Sequence, residues 1–214
     1  LLVAGGTAHV AWTDFRTYDW DIFAARSTDG GRSFAPSQEL STSCFFCDSP
    51  RFVRADSERL WLAWTDLRAG PPDSNLLFVE SRDGGTRFGA PAPLDDSRRG
   101  AASALRLSNQ SHVSFATSGG RAYAVWQDDR AGNNDVLFAP VEGYPRGVGT
   151  PERVDDSGGG PSNQYRPELV VTRSPSASPR CVVVWEDDRD GRLRIYTASR
   201  SCTVTAPPPA RRVR

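Results

Sequence analysis

Apolar residues in this chain fall in short runs separated by polar turns, and the runs come in pairs. His9-Val10-Ala11, Leu60-Trp61-Leu62-Ala63, Ala122-Tyr123-Ala124-Val125 and Cys181-Val182-Val183-Val184 are rich in β-branched and aromatic residues, which predicts strands of about five residues. Each run is followed by a polar turn and a second run. These are Asp21-Ile22-Phe23-Ala24-Ala25, Leu76-Leu77-Phe78-Val79-Glu80, Asp135-Val136-Leu137-Phe138-Ala139 and Arg194-Ile195-Tyr196-Thr197-Ala198. Strand, turn and strand predict four antiparallel hairpins.

The hairpins are copies of one unit. Each carries W-x-D-x-R, as Trp12, Asp14 and Arg16; Trp64, Asp66 and Arg68; Trp126, Asp128 and Arg130; and Trp185, Asp187 and Arg189, at intervals of 52, 62 and 59 residues. In the first two units the second strand runs into S-x-D-x-G-x-x-F, as Ser27, Asp29, Gly31 and Phe34, then Ser81, Asp83, Gly85 and Phe88. The spacing has a mechanism: Asp accepts local backbone N–H bonds, Gly supplies positive φ, and Phe folds back as an apolar plug. Units three and four lack this turn and must close by other means. A short strand ending near Leu40, Leu94 or Val154, and a preceding strand seen by aligning Ser108-Asn109-Gln110 with Ser162-Asn163-Gln164, bring the count to four strands per unit. Such units, stacked radially, make a β-propeller.

With these motifs over residues 1 to about 200, the chain resembles the Asp-box (BNR repeat) sialidase-like propellers of bacterial exported proteins. The resemblance implies an all-β fold of four-stranded antiparallel blades, with four blade-like repeats (approximately 1–43, 44–97, 98–157 and 158–205) forming part of a six-bladed ring; composition marks 206–214 as a Pro/Arg-rich tail. It implies a structural role for the Asp-box residues, on the face away from any active site. It also implies, if the chain is an enzyme, a Tyr–Glu nucleophile pair and three arginines around a sugar carboxylate. Cast on this sequence, these are Tyr165 with Glu168 or Glu186, and Arg51, Arg166 and Arg189; Tyr165-Arg166-Pro167 is the segment nearest to the family's F/Y-R-I-P.

Residues present in every unit are read as scaffold: the four Trp pack between units, and each Asp pairs with its Arg across the turn, with Asp21 or Asp135 as a second partner. A single site needs residues that differ between units. Aligning the segments that lead into each first strand sets Asp48, Ser49 and Arg51 against Ser111, His112 and Ser114, and against Tyr165, Arg166 and Glu168. Asp48, Arg51, His112, Tyr165 and Arg166 are therefore the candidate ligand-binding residues, with Tyr18, Trp20, Arg98, Arg99 and Glu186 completing the mouth.

Composition narrows the reading. The 26 basic residues, all Arg, balance 26 acidic ones, so the electrostatic footprint of a nucleic-acid binder is missing. No run has membrane-spanning length, and the opening Leu1-Leu2-Val3-Ala4 reads as the inside of a strand, which suggests a fragment or processed product. Four cysteines in a loop-rich β chain point to disulfides and an extracellular, cell-surface or periplasmic setting. Cys181 and Cys202 flank the last hairpin and are expected to form a cross-strand bridge. Cys44 and Cys47 are a local disulfide or a pair of thiols, since no second Cys or His pair stands at zinc spacing. No metal and no cofactor is expected. Glu186-x-Asp188-x-Asp190-Gly191 starts like a calcium loop, but Thr197 stands where the closing carboxylate belongs. The sequence thus favours a non-catalytic module that binds a glycan or a surface protein, ahead of a sialidase-type hydrolase or a purely structural array.

Overall fold

A computed structural model of the chain describes residues 1–68, 73–95, 108–143, 146–154, 161–174 and 177–202; the tail at 206–214, Arg98 and Arg99 lie outside them. The described residues form sixteen strands and no helix. The first sheet runs β1 (Leu2–Ala4), β2 (Thr7–Asp14), β3 (Asp21–Ser27) and β4 (Gln38–Glu39), and the second β5 (Cys47–Arg54), β6 (Leu60–Asp66), β7 (Asn75–Ser81) and β8 (Ala92–Pro93). The third holds β9 (Gln110–Ser118), β10 (Arg121–Asp128) and β11 (Asp135–Gly143), with β12 (Gly147–Val148) and β13 (Glu152–Arg153) both on β11. The fourth has β14 (Gln164–Ser174), β15 (Ala177–Asp187) and β16 (Arg194–Ser201). All pairings are antiparallel and, apart from β13 on β11, join strands consecutive in the chain, so this is a β-propeller arrangement of successive meanders.

The central hairpins share one register. Trp12 faces Phe23, Trp64 faces Leu77, Trp126 faces Leu137 and Trp185 faces Tyr196. A slip of one residue would turn each Trp to the wrong face of its sheet. The buried Trp side chains make the core between sheets. Trp64 packs with Ile22 and Ala24 of the first sheet, Trp126 with Phe78 and Leu76 of the second, and Trp185 with Val136 and Phe138 of the third. Each Trp therefore faces the preceding sheet. Trp12, whose face meets no earlier sheet among the described residues, is only half-buried.

The Asp of each W-x-D-x-R gathers three donors. In all four units the Trp Nε1–H donates to Asp Oδ2 at 2.9–3.3 Å and the Arg backbone N–H donates to Oδ1 at 2.9–3.0 Å. The Arg guanidinium completes the set, as from Arg68 Nη2 at 2.7 Å and Arg189 Nη2 at 2.6 Å. Arg130 adds Asp95, rather than Asp135, as its second carboxylate; Asp135 is taken by Arg153 at 2.7 Å. The Trp-to-Asp bond joins hydrophobic packing to turn closure, so the motif is scaffold in its geometry as well as in its repetition.

The two S-x-D-x-G-x-x-F turns are closed by their Asp and Ser side chains. Asp29 Oδ1 accepts from the N–H groups of Arg32 and Ser33, and Asp83 Oδ1 from those of Thr86 and Arg87, all at 2.9–3.0 Å. Ser27 and Ser81 accept from the N–H of Gly31 and Gly85, both at 2.8 Å. The Phe plugs differ. Phe88 packs against the core between the first and second sheets, whereas Phe34, on the open side of the first sheet, stays 44% exposed. Unit three closes instead by folding β11 back onto β12 at Gly143 and Gly147, and a Cβ on Gly147 would collide with the Leu94 carbonyl.

Candidate functional site

The first strand of units two, three and four is broken at the same place. The ladder slips between Asp48 and Arg51, between Ser111 and Ser114, and between Tyr165 and Glu168. At the slip Ser49, His112 and Arg166 sit at φ of 56°, 54° and 48°. These are β-bulges with a left-handed residue, a conformation non-glycine residues adopt only where surrounding structure enforces it. The enforcing contacts flank each bulge. Just before it Cys47, Gln110 and Gln164 donate their backbone N–H to the carbonyls of Trp20, Ser74 and Asn134 in the previous sheet's hairpin turn, at 2.7–2.9 Å. Pro50 and Pro167, inside otherwise strand-like runs, are the sequence trace of the bulges, because proline in a sheet is tolerated at such irregularities.

The bulge re-aims the residues that break the repeat. His112, Tyr165, Arg166 and Glu186 line one cleft of about 280 Å³ at the junction of the third and fourth sheets, joined there by Gln127 and Leu193. Tyr165 stands directly opposite Glu186 across β14 and β15, and Arg166 Nη1 donates to Glu186 Oε2 at 3.2 Å. The Arg166 backbone N–H points to Gln127 Oε1 at 3.5 Å. Desolvation against the cleft wall, then the Arg166 guanidinium, push the His112 imidazole below its ordinary value; Asp48 and Glu186 pull upward and are outweighed. The shift favours the neutral imidazole, with one ring nitrogen able to donate and the other to accept.

The other candidates lie apart to different degrees. Arg51 pairs with Glu168 across the second and fourth sheets at 3.6 Å, and Ser114 Oγ donates to the same carboxylate at 2.7 Å, so these three form a polar cluster beside the cleft. Arg189 is absorbed by its own turn: it pairs with Asp187 and lies over the Tyr196 ring at 4.4 Å. Arg51, Arg166 and Arg189 each hold a different carboxylate of the chain. Tyr18 and Trp20 stand on the first hairpin turn, where Trp20 forms an aromatic group with Phe15 and Phe46. Gln127 and Leu193 are the contributors that sequence reasoning missed, and only Gln127 left a trace in the sequence. The x of W-x-D reads Thr13, Thr65, Gln127 and Glu186 and so varies between units.

Both cysteine pairs are bonded. Cys44–Cys47 and Cys181–Cys202 have Cα separations of 5.7 and 5.2 Å. Cys181 faces Arg200, so Cys202 lies two residues further along the strand and the second bridge runs diagonally. The buried donor atoms of Cys44, Cys47 and Asp66 lie within 4.8 Å of one another, but the sulfurs are joined to each other and Asp66 serves Trp64 and Arg68.

No family model matches the chain, and no curated protein sequence does. Solved structures match by fold. The α-L-arabinanase of Penicillium chrysogenum, complexed with arabinobiose, aligns with a TM-score of 0.59 at 13% identity over 85% of this chain and 56% of its own. An α-L-arabinofuranosidase of Fusarium graminearum aligns with a TM-score of 0.59 at 12% identity, over 85% of this chain and 55% of its own. The NanB sialidase of Streptococcus pneumoniae aligns with a TM-score of 0.51 at 11% identity, over 84% and 25%. This chain spans about half the length of the first two and a quarter of the third. At such identities the likeness establishes the β-propeller fold alone.

Proposed function

We propose that the chain is a non-catalytic glycan-binding propeller module that holds its ligand in the cleft at the junction of the third and fourth sheets. The observation that carries this reading is the convergence of His112, Gln127, Tyr165, Arg166 and Glu186, residues at positions that vary between units, on one cavity. A guanidinium, a carboxylate, an amide, a phenol and a neutral imidazole offer the mixed donors and acceptors that sugar hydroxyls need, and Leu193 supplies an apolar wall. Glycan-acting proteins among the fold neighbours add weight, and two disulfides suit an exported protein in an oxidising compartment.

Binding is favoured over hydrolysis because Arg51, Arg166 and Arg189 are each engaged with a separate carboxylate instead of jointly facing an empty pocket. The test is a glycan array followed by titration of the best ligand against Arg166→Ala. Loss of a charge-assisted hydrogen bond, ~1.5–3 kcal/mol, weakens binding about tenfold or more. Unchanged affinity in that variant removes the cleft from the function. The second reading, a sialidase-type hydrolase, draws on the Tyr165–Glu186 opposition, and release of product from a fluorogenic sialoside would favour it.

A further inference from the structure

The same rim carries a second feature. Phe15, Tyr18 and Trp20 on the first hairpin turn, and Phe45 and Phe46 leading into β5, are 50%, 87%, 42%, 67% and 41% exposed. Three of them make a continuous tilted stack: the Phe15 and Trp20 ring centroids are 5.0 Å apart, and those of Trp20 and Phe46 are 6.2 Å apart. Leaving three stacked rings in water, with Tyr18 and Phe45 exposed on the same two loops, is unfavourable for folding and marks a contact surface.

The rings are held in place from below. Phe45 and Phe46 are bracketed by the Cys44–Cys47 disulfide, the Cys47 N–H donates to the Trp20 carbonyl at 2.9 Å, and the Leu67 N–H donates to the Phe46 carbonyl at 3.0 Å. In units three and four the corresponding positions are polar. Asn109 and Asn163 take the place of Phe46 and clamp Asp129 and Asp188, which take the place of Leu67. Those two units close the junction without an exposed ring, so the fold does not require the aromatic version.

We propose that this stack is a second sugar subsite, a platform for the apolar face of a ring in an oligosaccharide whose other end lies in the cleft of the third and fourth sheets. The inference rests on the glycan-binding reading of that cleft. Continuity along the rim selects the occupant: Asp48 follows Cys47 directly, Arg51 at the same bulge pairs with Glu168 at 3.6 Å, and Glu168 borders the bulge that carries Tyr165 and Arg166, walls of the cleft. Polar side chains also punctuate the stack at Thr17, Asp19 and Asp48. A sugar ring, apolar on its face and polar around its edge, fits a platform of this kind, and stacking on preset rings loses little side-chain entropy.

The experiment titrates the intact protein with a length series of arabino-oligosaccharides, starting at arabinobiose, and a series of sialylated oligosaccharides, starting at sialyllactose. Trp20→Ala and Phe46→Ala should lower affinity for the longer chains about tenfold, to the level of the short ones, and leave the short ones unchanged; Arg166→Ala should weaken both. Mass-spectrometric mapping of N-bromosuccinimide oxidation gives a readout free of folding effects. Trp20 is the exposed tryptophan among the six, and long chains should protect it whereas short ones should not. Wild-type binding that is independent of chain length, or oxidation of Trp20 unaffected by a bound long chain, overturns the platform and leaves the cleft standing. Absence of binding by every sugar in both series overturns the glycan reading and the platform together, and capture of a protein through Trp20 instead would assign the stack to a protein interface.

Discussion

Gly31 and Gly85 hold the same place in two copies of one turn, at φ of +88° and +83°, yet their surroundings differ. A Cβ on Gly31 would meet nothing within 4 Å, whereas one on Gly85 would lie 2.5 Å from His9 Cε1 and 3.1 Å from Leu60 Cδ2. Both Ala variants carry backbone strain of ~1 kcal/mol, and Gly85→Ala adds an overpacking cost of ~1–3 kcal/mol. Urea unfolding should therefore place Gly85→Ala clearly below Gly31→Ala in stability, and equal midpoints would contradict the packing around His9. The requirement for glycine at both positions was legible from the S-x-D-x-G spacing. That one of them also guards a buried ring was not, because His9 is 76 residues away in sequence and arrives only when the two sheets pack.

At the scale of elements, the junction between successive sheets is built three times from two different chemistries. Gln110 accepts the Leu76 N–H on Oε1 and donates to Asp95 and Asp128, so it stitches the second sheet to the third while fully buried. Gln164 ties the next junction with its amide donating to Asp135 Oδ1 and the Asn134 carbonyl of the third sheet, and in unit two the Cys44–Cys47 pair replaces the amide. A second covalent tie closes the last hairpin, where Cys202 is linked to Cys181 and its carbonyl accepts from the Tyr123 hydroxyl of the third sheet. The bridge closes a loop of 21 residues, and chain-entropy arguments give it ~3 kcal/mol. Replacing Cys181 and Cys202 together by Ser should lower the urea midpoint accordingly, with the far-ultraviolet signature of the strands kept at low urea. A midpoint unaltered by the double substitution would mean that hydrogen bonding, not the bridge, secures β16.

For the molecule as a whole, stability should depend on pH through His9, which lies between the first and second sheets with 1% exposure, near Phe52 and with Arg54 Nη2 3.4 Å from its Nε2. Burial, then the Arg54 and Arg26 guanidiniums, lower its pKa from 6.5 to about 4. The folded protein therefore binds the proton less readily than the unfolded chain, and the stability this group contributes is complete above pH 6.5 and is lost as pH falls toward 4. The loss is on the order of 3 kcal/mol across that window. His9→Gln should be less stable at pH 7 and should show a flatter decline of Tm between pH 6.5 and 4 than the wild type; parallel declines would refute the assignment. The side chains that vary between units are distributed over the same whole, with mixed polar groups at the junction of the third and fourth sheets and aromatic ones at that of the first and second.

Sequence alone determined the all-β class, the hairpins, the S-x-D-x-G-x-x-F turns and the division between residues repeated in every unit and residues that vary. These are local matters, in which side-chain period, turn chemistry and repetition act within a few tens of residues. It also named His112, Tyr165, Arg166 and Glu186, because a residue that breaks a repeat is visible without coordinates. Only the tertiary structure decided which of them meet: the bulges at Ser49, His112 and Arg166 turn side chains toward a neighbouring sheet, and the pairing of sheets brings Gln127 and Leu193 to the cleft while leaving Arg189 locked on Tyr196. The physical reason is that a cleft between two sheets belongs to neither, so its membership depends on packing contacts between residues that no local rule relates.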